Sequence, residues 1–122
     1  MAEGNTMQEF RRNRFLFEIE GVDLYPWLVS KVAYCGGKIV VTYREIKGLF
    51  TSEFFDNNGK NIVGKNATLR FLDAEGKTIG EARFTGVNFD EMQIDTLTYE
   101  SDEPLQNTVF FTYKDVKHHS VV

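Results

Sequence analysis

Cysteine, proline and histidine are all scarce in this chain of 122 residues, and each scarcity removes a class of answers. A single cysteine, Cys35, excludes an intrachain disulfide framework. With only two prolines, Pro26 and Pro104, long stretches stay free to pair as strands. The only two histidines, His118 and His119, are adjacent and sit in what reads as a solvated tail. Neighbours in an extended segment point opposite ways, and a zinc site wants a third ligand, so no metal is expected. No apolar run approaches the roughly 20 residues of a membrane-spanning helix, so no membrane partner is expected. The opening Met1-Ala2-Glu3-Gly4-Asn5 lacks the basic-then-apolar order of a secretion signal, and the chain reads as cytosolic when made.

Groups able to do covalent or acid–base chemistry are equally thin. Cys35 has no histidine near it in sequence and is followed by glycines, which suits a small packed or surface thiol better than a nucleophile. No pair of carboxylates is flanked by apolar sequence that would split their pKa values. The acidic stretch from Asp90 to Glu103 lacks the glycine and the closing glutamate of a calcium loop. Gly36-Gly37 is not followed by the Lys-Ser/Thr pair of a phosphate loop. Asn66-Ala67-Thr68 fits a glycosylation pattern by chance in a chain read as cytosolic. The sequence therefore predicts no enzyme and no cofactor.

What the chain does have is aromatic residues, 14% of the total, eleven of them Phe. Such side chains belong in a core or an interface. Net charge is −4, and it is uneven: residues 1–61 balance, while residues 62–122 hold ten acids against six bases. Six of those acids, Asp90, Glu91, Asp95, Glu100, Asp102 and Glu103, fall in a stretch without Lys or Arg. A grip on nucleic acid needs the opposite sign, so tight DNA or RNA binding is disfavoured. An acidic wall past which DNA slides is compatible.

Hydropathy patterning predicts a mainly β domain over residues 13–117, between a flexible arm (1–12) and a tail (118–122). Phe15, Phe17 and Ile19 alternate with Glu18 and Glu20 in a first strand, 14–20. Residues 24–34 read as extended, and Ile39-Val40-Val41-Thr42-Tyr43 as a β-branched strand after the break at Gly36-Gly37. Ile46, Phe50 and Phe54 recur at four-residue spacing, which predicts one helix over 45–57 ending at Asn57-Asn58-Gly59. The clearest hairpin pairs 67–72 with 78–85 across Asp73-Ala74-Glu75-Gly76-Lys77. Residues 86–91 read as a loop, and 93–100 with 107–115 as a second antiparallel pair. Six to seven short antiparallel strands and one short helix predict a β-sandwich or split barrel. Phe110 and Thr112 oppose Val109, Phe111 and Tyr113, so the last strand carries apolar residues on both faces, which means either that one sheet is covered on both sides or that one face is an interface.

The order of these elements resembles the tail-tube proteins of contractile phages. Asn13-Arg14-Phe15-Leu16-Phe17-Glu18-Ile19-Glu20-Gly21 looks like that family's opening strand. Ala67 to Lys77, with its acidic turn, is similar to the central strand, and Phe84-Thr85-Gly86-Val87-Asn88-Phe89 to the loop before the closing pair. Ile94-Asp95-Thr96-Leu97 and Val109-Phe110-Phe111-Thr112-Tyr113 look like that pair, and 45–57 sits where the family has its helix. The resemblance covers most of residues 13–117 and rests on order and pattern. It implies a structural virion protein of a phage tail: a homo-hexameric ring in the tube of a contractile injection system or at its baseplate or terminal end. Such rings stack, and each subunit adds strands to a barrel lining a channel for DNA. Expected partners are further copies, other tube, sheath or baseplate proteins, and passing DNA that is not held; assembly is expected in the host cytoplasm. The six acids above are then candidate lumen-facing groups, and Phe15, Phe17, Phe110 and Tyr113 candidate interface groups. The family's long hairpin after the second strand is replaced here by Gly36-Gly37, which puts indefinite stacking in question. The alternative from another class is a monomeric β-barrel holding a small apolar ligand among Phe and Tyr side chains.

Overall fold

The computed structural model describes residues 9–21, 29–44 and 62–120. The helix expected over 45–57 lies outside these residues, as do 22–28. Seven strands are present in the described chain: β1 (Phe15–Ile19), β2 (Val29–Cys35), β3 (Lys38–Arg44), β4 (Lys65–Leu72), β5 (Thr78–Gln93), β6 (Gln106–Thr112) and β7 (Asp115–Ser120). All pairings are antiparallel, in the order β1-β4-β5-β6-β3-β2, with β7 also paired to β5.

The sixteen-residue β5 belongs to two layers. Its first half pairs β4 from Leu72↔Thr78 to Lys65↔Val87, and pairs β7 on its other side from Gly80↔Ser120 to Thr85↔Asp115. Its second half pairs β6 from Asn88↔Thr112 to Gln93↔Thr108. One layer is therefore β1-β4-β5-β7 and the other β5-β6-β3-β2, which is a split barrel as expected. Partners across a ladder share a face. Phe17, Leu69 and Ala82 thus lie in one inward row, and Ile19, Ala67 and Phe84 in the next. Opposite them the second layer presents Ile39, Val41, Tyr43, Val109 and Phe111. These side chains are buried, with Ile62 and Val87, and form a single apolar cluster. Each fully buried Phe or Ile contributes about 1.5–3 kcal/mol by leaving water.

Three sequence expectations need correction. Residues 86–91 are not a loop: β5 runs through them, bending at Gly86, whose φ is +67°. Residues 93–100 are not a strand, because β5 ends at Gln93 and 94–105 form a loop. The last expected strand, 107–115, divides into β6 and β7, so His118 and His119 stand in a paired strand, not a solvated tail. The division is at Tyr113-Lys114, where the amides leave the ladder: Tyr113 N donates to Gly37 O at 2.9 Å and Lys114 N to Thr85 O at 2.9 Å.

Two turns hold the registers. Asp73 Oδ1 accepts from the amides of Glu75 and Lys77 at 2.9 and 2.8 Å, which closes the β4–β5 hairpin as expected. Gly36 and Gly37 have φ of +58° and +85°, the pairing of a two-residue hairpin between β2 and β3, with Cys35 exposed at its start. Ahead of β1, Phe10 stacks on Phe71 with centroids 4.7 Å apart and lies over Gly80.

Gly86 combines a left-handed φ with a close approach of a neighbouring side chain. A Cβ there would lie 2.7 Å from Lys114 Cγ, and a left-handed φ costs an L-residue about 1–2 kcal/mol besides. Gly86→Ala should therefore lower the unfolding free energy by at least about 1 kcal/mol in urea titration at pH 7. An unchanged midpoint and slope would show that β5 does not depend on this bend.

Candidate assembly interface

The layer β5-β6-β3-β2 has two open borders among the described residues. β2 pairs only with β3. On the other side, β5 beyond Val87 has β6 for a partner, and its outer side receives one backbone contact, Phe89 N to Ile62 O at 2.9 Å. From Asp90 to Gln93 that border carries no ladder among the described residues. A strand border with unmatched amides and carbonyls is a template for another chain.

Register assigns the face of this layer that looks away from the core. Gln93, Thr108, Thr42 and Lys31 form one row, and Glu91, Phe110, Val40 and Ala33 the next. Lys38 and Arg44 stand on the same face, in rows with Thr112 and Gln106. The face is thus threonine-rich and carries Lys31, Lys38 and Arg44 against Glu91.

The six candidate acids are brought to one corner of the layer, not spread across it. Asp90 is the extra residue where the β5–β6 register shifts between Phe89 and Glu91, and both Asp90 and Glu91 are exposed. The other four lie on the loop 94–105. Asp95 organises that loop: Oδ1 accepts from Thr96 N at 2.8 Å and Oδ2 from Gln106 N at 3.0 Å. Its own amide donates to Oδ1 of Asn107 at 3.0 Å, and Asn107, 1% exposed, is the buried polar residue of the core. Thr98 Oγ1 and Ser101 Oγ accept from the amides of Glu100 and Glu103, at 3.2 Å each. The carboxylates of Glu100, Asp102 and Glu103 face solvent from this braced frame, beside exposed Ile94, Leu97 and Tyr99.

The candidate interface aromatics separate into two kinds. Phe17 is 1% exposed, so its ring is consumed by the core. Tyr113 packs edge-on to Phe84, with centroids 5.0 Å apart. Phe15 and Phe110 stay half-buried and retain surface to offer.

Two features have no counterpart in the sequence reading. An open groove of about 720 Å³ lies between the β1–β4 side and β2, lined by apolar Phe15, Phe71 and Val32 together with the cations Arg11, Arg12 and Lys31. Across the other seam, Tyr34 on β2 and His118 on β7 are hydrogen bonded, Oη to Nε2 at 2.8 Å. Tyr34 also packs edge-on to Phe84. Burial first, and the neighbouring Tyr113 second, raise the Tyr34 phenol above its ordinary pKa of 10.0. Neither feature has a local signature, since each joins residues far apart in the chain. Among the described residues no three His, Cys, Asp or Glu side chains gather as a metal site.

No protein-family model matches the chain, and no curated protein matches it either. Solved structures do. The fold is similar to that of a chain in the 6-fold symmetrised baseplate of the anti-feeding prophage, with a TM-score of 0.70 at 14% identity over 95% of this chain and 99% of that one. It is similar to Hcp1 from Flavobacterium johnsoniae, with 0.62 at 18% identity over 88% and 96%. It is also similar to a chain of the sheath–tube complex of an extracellular contractile injection system, PVC, with 0.70 at 11% identity over 93% of each. The chain therefore has the fold found in tube and baseplate proteins of contractile injection systems, in agreement with the resemblance seen in its sequence.

Asp95→Ala should speed amide exchange at Thr96 and Gln106 and lower stability by about 1–2 kcal/mol, two net hydrogen bonds' worth. Unchanged protection at those amides would show that another group holds the loop. The raised Tyr34 phenol favours its neutral form in the folded chain, so its contribution is intact below pH 10 and is lost as pH rises through the higher folded value. In an alkaline absorbance titration Tyr34 should ionise later than in the unfolded chain, and Tyr34→Phe should reduce the late-titrating absorbance by one tyrosine.

Proposed function

We propose that this chain is a structural subunit of a contractile tail, forming a homo-hexameric ring in the tube or at its baseplate or terminal end, through which DNA passes. The observation that carries the reading is the four-stranded layer β5-β6-β3-β2, which among the described residues has an unpaired border on each side. Its strands alternate in direction, and four is an even number. The outer part of β5 and β2 therefore run oppositely, so a second copy in the same orientation can set its β2 beside the first copy's β5 and continue the antiparallel alternation. Each added copy repeats this step, and rotation closes the row into a ring. Six copies of four strands at about 4.8 Å spacing give a circumference of roughly 115 Å and a backbone diameter of about 37 Å, which strand tilt widens further. After side chains are allowed about 5 Å on each side, roughly 27 Å remains open. The 6-fold baseplate whose chain shares this fold supports the same number.

In such a ring the face bearing Lys31, Thr42, Glu91 and Thr108 turns to the channel. Glu91 is on the wall, Asp90 at its border, and Asp95, Glu100, Asp102 and Glu103 gather at the rim. Acids not taken up in contacts between copies repel phosphates at the rim, whereas on the wall Lys31, Lys38 and Arg44 outnumber Glu91, so repulsion acts at the end of the channel and not along it. Residence in the virion tail, with tube, sheath or baseplate proteins as partners, follows from the same reading. The two-residue β2–β3 turn leaves that end of the layer short, which suits a ring that ends a tube at least as well as one that repeats along it.

Sedimentation velocity over a hundredfold concentration range, followed by negative-stain imaging of the large fraction, should give a sixfold mass and annular particles. Monomers at every concentration, alone and with tube proteins present, would count against the ring. A monomer carrying a co-purified small molecule in native mass spectrometry would instead support the ligand-binding barrel.

A further inference from the structure

We infer that the loop 94–105 is a clasp that seats in the groove of the neighbouring copy, with Leu97 and Tyr99 against its apolar residues and Glu100, Asp102 and Glu103 against Arg11, Arg12 and Lys31. The inference rests on the edge-to-edge ring proposed above and goes beyond it, since edge pairing by itself needs no loop.

Three observations converge on this contact. The first is the surface the loop presents. Leu97 is 77% exposed and Tyr99 fully so, while Ile94 is 44% exposed. Of the five large exposed apolar residues in the described chain, these three lie within six positions of one another. A lone exposed Leu needs no explanation, but apolar side chains clustered on a braced frame do. The hydrogen bonds of Asp95, Thr98 and Ser101 already fix the loop's shape, so little ordering entropy is lost on docking.

The second is the groove. Its lining combines apolar Phe15, Phe71 and Val32 with three cations, Arg11, Arg12 and Lys31. The loop has an apolar centre flanked by three anions. Shape class and charge sign both match, and charge complementarity of this kind sets register and partner choice.

The third is position. Across the layer, Val29 is level with Tyr43, Tyr43 with Asn107, and Thr108 with Gln93, so the start of β2 and the end of β5 stand at the same height. When β2 of one copy is set beside β5 of the next, the loop leaving Gln93 emerges at Val29 and Ser30. Those residues border the groove. The loop thus meets the neighbour's groove without any change of fold, and each copy gives one loop and receives one, the arrangement a closed ring requires.

Charge reversal with mixing tests the contact. Variant one carries Glu100→Lys, Asp102→Lys and Glu103→Lys; variant two carries Arg11→Glu and Arg12→Glu. All five sites are exposed, and circular dichroism with thermal melting confirms that each variant folds. Each alone should self-associate at least about tenfold more weakly than wild type in sedimentation velocity, as expected for removal of a dominant interface contact. Mixed in equal amounts they should recover assembly, because a basic loop then meets an acidic groove and an acidic loop a basic one. Leu97→Ser with Tyr99→Ser should weaken assembly at both low and high salt, whereas the charge effects shrink as salt rises. If wild type forms rings and both charge variants form them equally well, the clasp is wrong and the ring stands; the groove then serves another occupant, such as a segment of its own chain. If the variants are weakened but mixing restores nothing, the acids and these arginines do not meet, and the clasp is again wrong. A wild-type chain that stays monomeric overturns both readings.

Discussion

One strand joins everything in this molecule. β5 supplies the middle of the first layer and a border of the second, and between them it turns at a glycine in a conformation that other residues resist. Because a single backbone passes through both layers, their relative placement is set covalently, and the apolar cluster between them only has to fill a space already defined. The crossing of Tyr113 and Lys114, whose amides reach Gly37 and Thr85, seals the same corner from the other side. Remove that bend and the inward rows of the two layers no longer oppose one another.

The layers differ in what they do with their outer faces. On the first, Arg70 pairs with Glu18 and reaches Glu81, which also pairs with Arg83 at 3.0 Å. Exposed ion pairs of this sort add little stability each, but they make a thoroughly polar surface. The second layer instead shows threonines and a half-buried Phe110; among the described residues both layers end in strands with one partner, β1 and β7 in the first, β2 and the outer part of β5 in the second. A soluble monomer normally guards such borders with prolines, extra charges or covering segments. Among the described residues, β5 past Phe89 carries a register irregularity at Asp90 and the exposed charges of Asp90 and Glu91. The difference between an ionic outer face on the first layer and a threonine-rich one with a half-buried Phe110 on the second is why the second is assigned to contacts between copies.

Much of the fold was legible in the sequence, because a half-buried strand writes its own pattern. The alternation of Phe15, Phe17 and Ile19, the Asp73–Lys77 turn, and the opposed faces of residues 107–112 all report burial locally. The errors came where a long-range contact overrides local preference. Gly86 and Asn88 read as loop formers, yet ladders on both sides carry β5 through them. Ile94, Thr96 and Thr98 read as strand formers, yet the Asp95 carboxylate takes up the amides of Thr96 and Gln106 and bends the chain into a loop. His118 and His119 carried no apolar signal at all; Glu81 and Ala82 opposite them make the strand. The acids were found as a group, but their gathering at one corner depended on where β5 ends. The groove and the Tyr34–His118 bond were invisible because each joins separate segments of the chain, 11–15, 29–33 and 69–71 in the one and Tyr34 with His118 in the other. The predicted helix lies outside the described residues.

The two-glycine turn has a consequence for the polarity of any larger particle. It places Cys35, the only thiol in the chain, at the end of the second layer opposite the acidic loop, and leaves it accessible. In a ring of identically oriented subunits every sulfur then lies on the same rim. The chain thus carries a natural compass needle: chemistry directed at that one atom would distinguish the head of the object from its tail without altering a single residue.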